Sequence, residues 1–215
     1  MRAIMESLFD IAYLVTIVVL GTQLLRKSSG RRDVRLFGLL SLVLVCGDAF
    51  HLVPRIIGLN HPLGLEGFTA ALGIGKLVTS VTMTIFYVML YHYCQLHFDM
   101  PRSRTMDMVV WGLAAVRIAL CFFPQNAWTS ADAPVSWGIY RNIPFVILGA
   151  LMVALLLRTA GRDRFFRWAW LAVTLSFLFY IPVVLWADVS PMIGMLMLPK
   201  TCCYVWLVVM GRRAA

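Results

Sequence analysis

Seven apolar stretches, each near the length of a bilayer crossing, alternate with short polar connections along the 215 residues of the chain. A helix needs about 20 mostly apolar residues to cross the hydrocarbon layer. The stretches at roughly 4–24, 35–57, 68–95, 106–124, 138–157, 165–187 and 191–210 meet that requirement. Inside them, polar residues recur at helical spacing. Glu6, Asp10 and Tyr13 fall at i, i+4 and i+7; Asp48, His51 and Arg55 at i, i+3 and i+7; Lys76, Thr79, Ser80, Met83 and Tyr87 on one face. The pattern predicts an all-α integral membrane protein, a seven-transmembrane-helix bundle forming a single transmembrane domain over 1–215.

Composition agrees: 61% of residues are hydrophobic and 13% charged, with a mean hydropathy of +0.83, whereas soluble domains run near a quarter charged. The net charge of +9 is mostly a topology signal. Most Lys and Arg lie in the connection between helices 1 and 2 (Arg26, Lys27, Arg31, Arg32, Arg35), the 3–4 and 5–6 connections (Arg102, Arg104; Arg158, Arg162, Arg164, Arg167) and the tail (Arg212, Arg213). The positive-inside rule makes that side cytoplasmic, with the N-terminus outside and the C-terminus inside, in a cell inner membrane. No basic stripe interleaves with aromatics, so no nucleic acid partner is expected. Glu6 and Asp10 stand where a signal peptide carries basic residues, so the first stretch reads as a retained helix. The five cysteines all lie in or beside spans and read as small packing residues.

Self-comparison suggests an internal repeat. Helix 1 ends in LLRKSSGRRDVR and helix 5 in LLRTAGRDRFFR; Pro54 and Pro182 follow near the ends of the next helices, then LGIGK at Lys76 and LMLPK at Lys200. The expected units are 1–97 and 138–215, joined by helix 4 at 106–124, in a 3+1+3 parallel arrangement. That architecture resembles the SWEET and PQ-loop transporters, and a lysine in helix 7 resembles rhodopsins. However, Pro124-Gln125 lies in the linker helix and not at matching places in both halves, and helix 3 carries no carboxylate. The chain is assigned to neither family.

Lys200 interrupts the last apolar stretch, MIGMLMLPKTCCYVWLVVM. A charge near the bilayer centre costs at least about 2.5 kcal/mol on insertion scales, so such residues face the interior and mark counter-ions, ligands or proton paths. Pro199 beside it is expected to open a backbone carbonyl at the same depth. Read on the predicted topology, the outer half holds Arg55, Lys76, Arg117, Arg141 and Lys200 against Glu6, Asp10 and Asp48, a surplus of positive charge matched to an anion. The candidate ligand-binding set is Asp10, Arg55, Lys76, Thr79, Ser80, Tyr87, Arg117, Arg141, Asn142, Tyr180, Lys200 and Tyr204. Structural salt bridges and snorkelling to the interface are the competing account of the same charges. Trp128 and Trp137, in the long loop between helices 4 and 5, read either as a cap over the pocket or as an interfacial belt.

Three functions are consistent with these residues. The first is a transporter or receptor-like binder whose partners are membrane lipid and a small anionic or amphipathic ligand. The second is a membrane-embedded enzyme acting on a lipid or isoprenoid headgroup, with Asp48 and His51 as an acid–base pair. The third is a chromophore protein with Lys200 as Schiff base. No metal site and no cofactor is expected, because no second histidine or carboxylate set joins His51 at its level.

Overall fold

A computed structural model describes residues 2–187, 189–190 and 192–215. Seven helices follow one another: α1 (Arg2–Lys27), α2 (Arg32–Asn60), α3 (Thr69–His97), α4 (Arg104–Cys121), α5 (Val135–Thr159), α6 (Ala169–Trp186) and α7 (Met197–Ala214). Short 3₁₀ turns occupy Glu66–Phe68, Pro124–Asn126 and Ile193–Leu196, and no strand occurs among the described residues. Six of the seven helical segments are long and apolar enough to cross a membrane, α7 together with its preceding 3₁₀ turn. The exception is α4, which was expected to be the seventh crossing. Its 18 residues include Arg104, Asp107 and Arg117, so its apolar run is interrupted at both ends.

Sequential helices pack on one another, and α1 against α7 closes the ring. The core draws on every helix, with Ile17, Leu44, Phe86, Leu148, Val173 and Val208 among its fully covered members. The lipid-length helices keep exposed apolar residues such as Val15, Phe50, Ile147 and Leu178 on their outer faces. An apolar residue on both sides of a helix is what a bundle immersed in hydrocarbon requires.

One end of the bundle collects the basic connections. His97, at the end of α3, places Nδ1 3.1 Å from Asp33 on α2 and Nε2 3.0 Å from Asp163 in the α5–α6 connection. Arg31 donates to the Ala215 carbonyl at 2.6 Å and pairs with Asp33 at 2.7 Å. These bonds gather three connections and the tail at one end of the bundle, the basic end.

Two boundaries differ from the expected ones. The stretch expected at 165–187 becomes helical only at Ala169, because residues 164–168 form successive turns. In the last stretch the α-helix starts at Met197, which puts Pro199 in its first turn. There a proline gives up an N–H that has no helical partner in any case. The expected interruption in mid-helix beside Lys200 is therefore absent, and Lys200 stands one turn inside the start of α7.

Candidate functional site

The inward stripe of α4 repeats at helical spacing as Val110, Ala114, Arg117 and Cys121, all buried. An arginine thus occupies a core position, with 2% of its surface exposed. It donates from Nη1 to the Thr84 hydroxyl of α3 at 3.0 Å and from Nη2 to Asn142 Oδ1 of α5 at 3.5 Å. The guanidinium carbon lies 3.4 Å from the centroid of the Phe145 ring, a cation–π contact. Nε is buried and has no hydrogen-bond partner. Among the described residues, no carboxylate pairs with Arg117. A buried charge normally acquires a counter-charge, because solvation lost on burial amounts to several kcal/mol per ion.

Asn142 is held by its own helix: Nδ2 donates to the Gly138 carbonyl at 2.8 Å, which turns Oδ1 toward both Arg117 and the Tyr180 hydroxyl, 2.9 Å away on α6. The Tyr180 ring then carries Lys200, whose ammonium sits 4.6 Å from its centroid and 5.8 Å from that of Tyr204. Tyr204 completes the cluster. Its hydroxyl lies 3.2 Å from that of Tyr87 and 3.5 Å from Ser176 Oγ. On the far side of Lys200, Asp48 of α2 accepts from the Tyr13 hydroxyl at 2.6 Å. The Asp48 carboxylate and the Lys200 ammonium lie within electrostatic reach of each other, but no ion pair joins them among the described residues.

The structure therefore brings Tyr87, Arg117, Asn142, Tyr180, Lys200 and Tyr204 together and sends the remaining candidates elsewhere. Arg55 pairs with Glu6 at 3.1 Å, and Asp10 lies within reach of Arg55, Glu6 and Asp48. The acids thus gather on α1 and α2, while Arg117, across the ring, has none. His51 meets the Leu72 carbonyl of α3 at 3.2 Å and Asp48 meets Tyr13, so the two have separate partners. Thr79 donates to the Gly47 carbonyl at 3.0 Å, tying α3 to α2, and Ser80 donates to the Lys76 carbonyl of its own helix at 2.7 Å. Lys76 is exposed. Arg141 donates to Asn126 at 2.8 Å and lies over the Trp128 ring at 4.3 Å. Trp128 also donates from its indole N–H to the Cys121 carbonyl at 2.9 Å. It closes the ends of α4 and α5 one turn beyond Arg117. Trp137 instead stacks on Phe123.

Thr84 and Phe145 belong to the site without having been singled out. Thr84 lies one turn beyond Ser80 on the polar face already traced from Lys76, a visible signal. Phe145 carries none, since a phenylalanine in an apolar span is unremarkable until a cation is found above it. All five cysteines are thiols, and no cluster of metal-binding side chains occurs among the described residues. The arrangement offers two buried cations, the half-buried Asp48 carboxylate bonded to α1 through Tyr13, and phenol hydroxyls that donate or accept. The chain matches no protein-family model, and no curated protein or solved structure matches it.

Proposed function

We propose that this is a multi-pass membrane protein whose bundle interior binds a small anion at Arg117, with Lys200 and the phenols of Tyr180, Tyr204 and Tyr87 completing the pocket. One observation carries the reading: a guanidinium that is 2% exposed, has an unbonded Nε and lacks a carboxylate among the described residues. A planar fork of donors in a low-dielectric site fits a carboxylate or phosphate oxygen pair. In this reading α4 is the seventh crossing, its charged ends at the interfaces and Arg117 satisfied by ligand. The basic end is cytoplasmic, supported by the Lys and Arg residues gathered there, and the membrane is a cell inner membrane.

The test uses purified protein and a panel of acetate, succinate and inorganic phosphate. A ligand that binds only the folded state raises the melting temperature with its concentration. At least one anion is expected to stabilise the wild type and not Arg117→Met; equal shifts in both proteins refute the reading. Transport and reception then separate by function. If α1–α3 move against α5–α7 about α4, proteoliposomes take up the bound anion; if they do not, binding occurs without uptake.

A second reading is favoured by Lys200 itself. Its amine faces a tyrosine ring and no bonded carboxylate. Condensation of that amine with an aldehyde, releasing water, would give a Schiff base, with Asp48 within reach of the resulting cation. Adding retinal to the apoprotein tests it: a red-shifted band lost in Lys200→Ala supports this reading, and an unchanged retinal spectrum removes it.

A further inference from the structure

Helices α3 and α4 are joined at two levels and parted between them. Toward the basic end, Tyr91 donates to Asp107 at 2.7 Å and Gln95 donates to the same carboxylate at 3.0 Å. Toward the opposite end, Arg117 donates to Thr84. Between these levels lies a cavity of about 310 Å³ whose walls are almost wholly apolar. It extends from Thr84 to His92 along α3, eight residues or about 12 Å at the helical rise, and along α4 from Trp111 past Ala114 and Ala115 to Ile118. Ala115 and Trp111 are exposed on the outer face of the bundle, so the groove opens toward lipid. His92 and Trp111, with ring centroids 5.9 Å apart, stand at its basic end.

Thr84 belongs to both features. It lines the groove, and its hydroxyl is the acceptor for Arg117 Nη1. The apolar groove therefore ends one hydrogen bond away from a buried guanidinium that has a donor to spare. We propose that this groove is a binding site for a single-chain amphipathic carboxylate, a fatty acid, entering sideways from the membrane. The alkyl chain lies between α3 and α4 toward His92, and the carboxylate replaces the Thr84 hydroxyl as acceptor while also meeting Nε. The inference rests on Arg117 as the anion site and adds the chemical class of ligand and its route.

The experiment places the protein in phosphatidylcholine nanodiscs with a diazirine-bearing palmitic acid, photolyses it and maps the labelled peptides. Labelling is expected to exceed that of other lipid-facing segments at least tenfold in 84–92 and 111–118. Unlabelled palmitate should displace it and hexadecanol should not. Arg117→Met is expected to lower it at least fivefold. Ala115→Phe, a change at an exposed groove position that leaves the core intact, should do the same. Even labelling of the lipid-facing surface means annular lipid only and overturns the proposal. Equal displacement by hexadecanol overturns the role of the charge, and displacement by phosphatidylglycerol assigns the groove to a phospholipid instead. If acetate still stabilises the wild type through Arg117 while labelling is even, the groove is wrong and the interior anion site stands. If Arg117→Met alters neither measurement, both readings fall.

Discussion

At the scale of single residues, the proposed anion site would make Arg117 a residue that sets stability against function. Replacing a buried ion pair by apolar side chains of similar volume is often neutral or stabilising by about 1–4 kcal/mol, and an ion without a counter-charge has less to repay its burial. Arg117→Met is accordingly expected to melt at or above the wild-type temperature in ligand-free detergent while losing anion stabilisation. A drop of more than a few degrees in the ligand-free melt would mark the arginine as structural. Tyr13 behaves in the opposite way, because its hydroxyl is the bonded partner of the half-buried Asp48 at 2.6 Å. Tyr13→Phe leaves that carboxylate short of a donor and is expected to cost about 1–3 kcal/mol, read by thermal unfolding against Tyr13→Ser as a volume control. The inward helical face was legible for Arg117, Tyr180 and Lys200, since the helical period and the cost of a polar group in lipid decide it. The pairings were not. Whether Asp10 meets Arg55 or Lys200 depends on how α1 is rotated against α2 and α7, and no local pattern encodes that rotation.

At the scale of elements, α2 and α3 approach closely because two glycines allow it. A Cβ on Gly47 would collide with the Thr82 side chain, and one on Gly75 with the Phe50 carbonyl and His51 backbone. The Phe50 carbonyl is the one that Pro54, four residues on, cannot bond. Gly75 thus seats α3 against the gap that the proline opens. Small residues at helix interfaces serve the same purpose throughout membrane bundles. Gly75→Val is expected to destabilise the protein by about 1–3 kcal/mol, as overpacking does, and a melting temperature unchanged from wild type would show that α3 stands off further than this. These small residues were visible in the sequence, but their facing partners were not. The same limit explains Pro199. The proline was legible as a helix perturbation, yet whether it kinks or merely begins a helix depends on where the 3₁₀ turn at Ile193–Leu196 hands over to α7.

At the scale of the whole molecule, the helix order and the single bundle followed from span length and short connections, while α4 exposed the limit of hydropathy. Its inward arginine lowers the apolar score of a helix that packs between α3 and α5. Orientation is testable directly. In a background without native cysteines, Ser130→Cys, in the exposed α4–α5 loop, should react with an impermeant maleimide in intact cells. Ser29→Cys, exposed in the α1–α2 turn, should react only after permeabilisation; the reverse pattern inverts the topology. The polar cluster also has a floor. Beyond Tyr87 and Tyr204 toward the basic end, the interior is filled by Leu90, Leu148, Met152, Leu207 and Phe37. Ser41 and Thr159 there bond carbonyls of their own helices. Among the described residues no relay of hydroxyls or carboxylates crosses this layer. In this conformation the layer offers a proton no hydrogen-bonded path, and a vesicle studded with the protein is expected to keep its proton gradient.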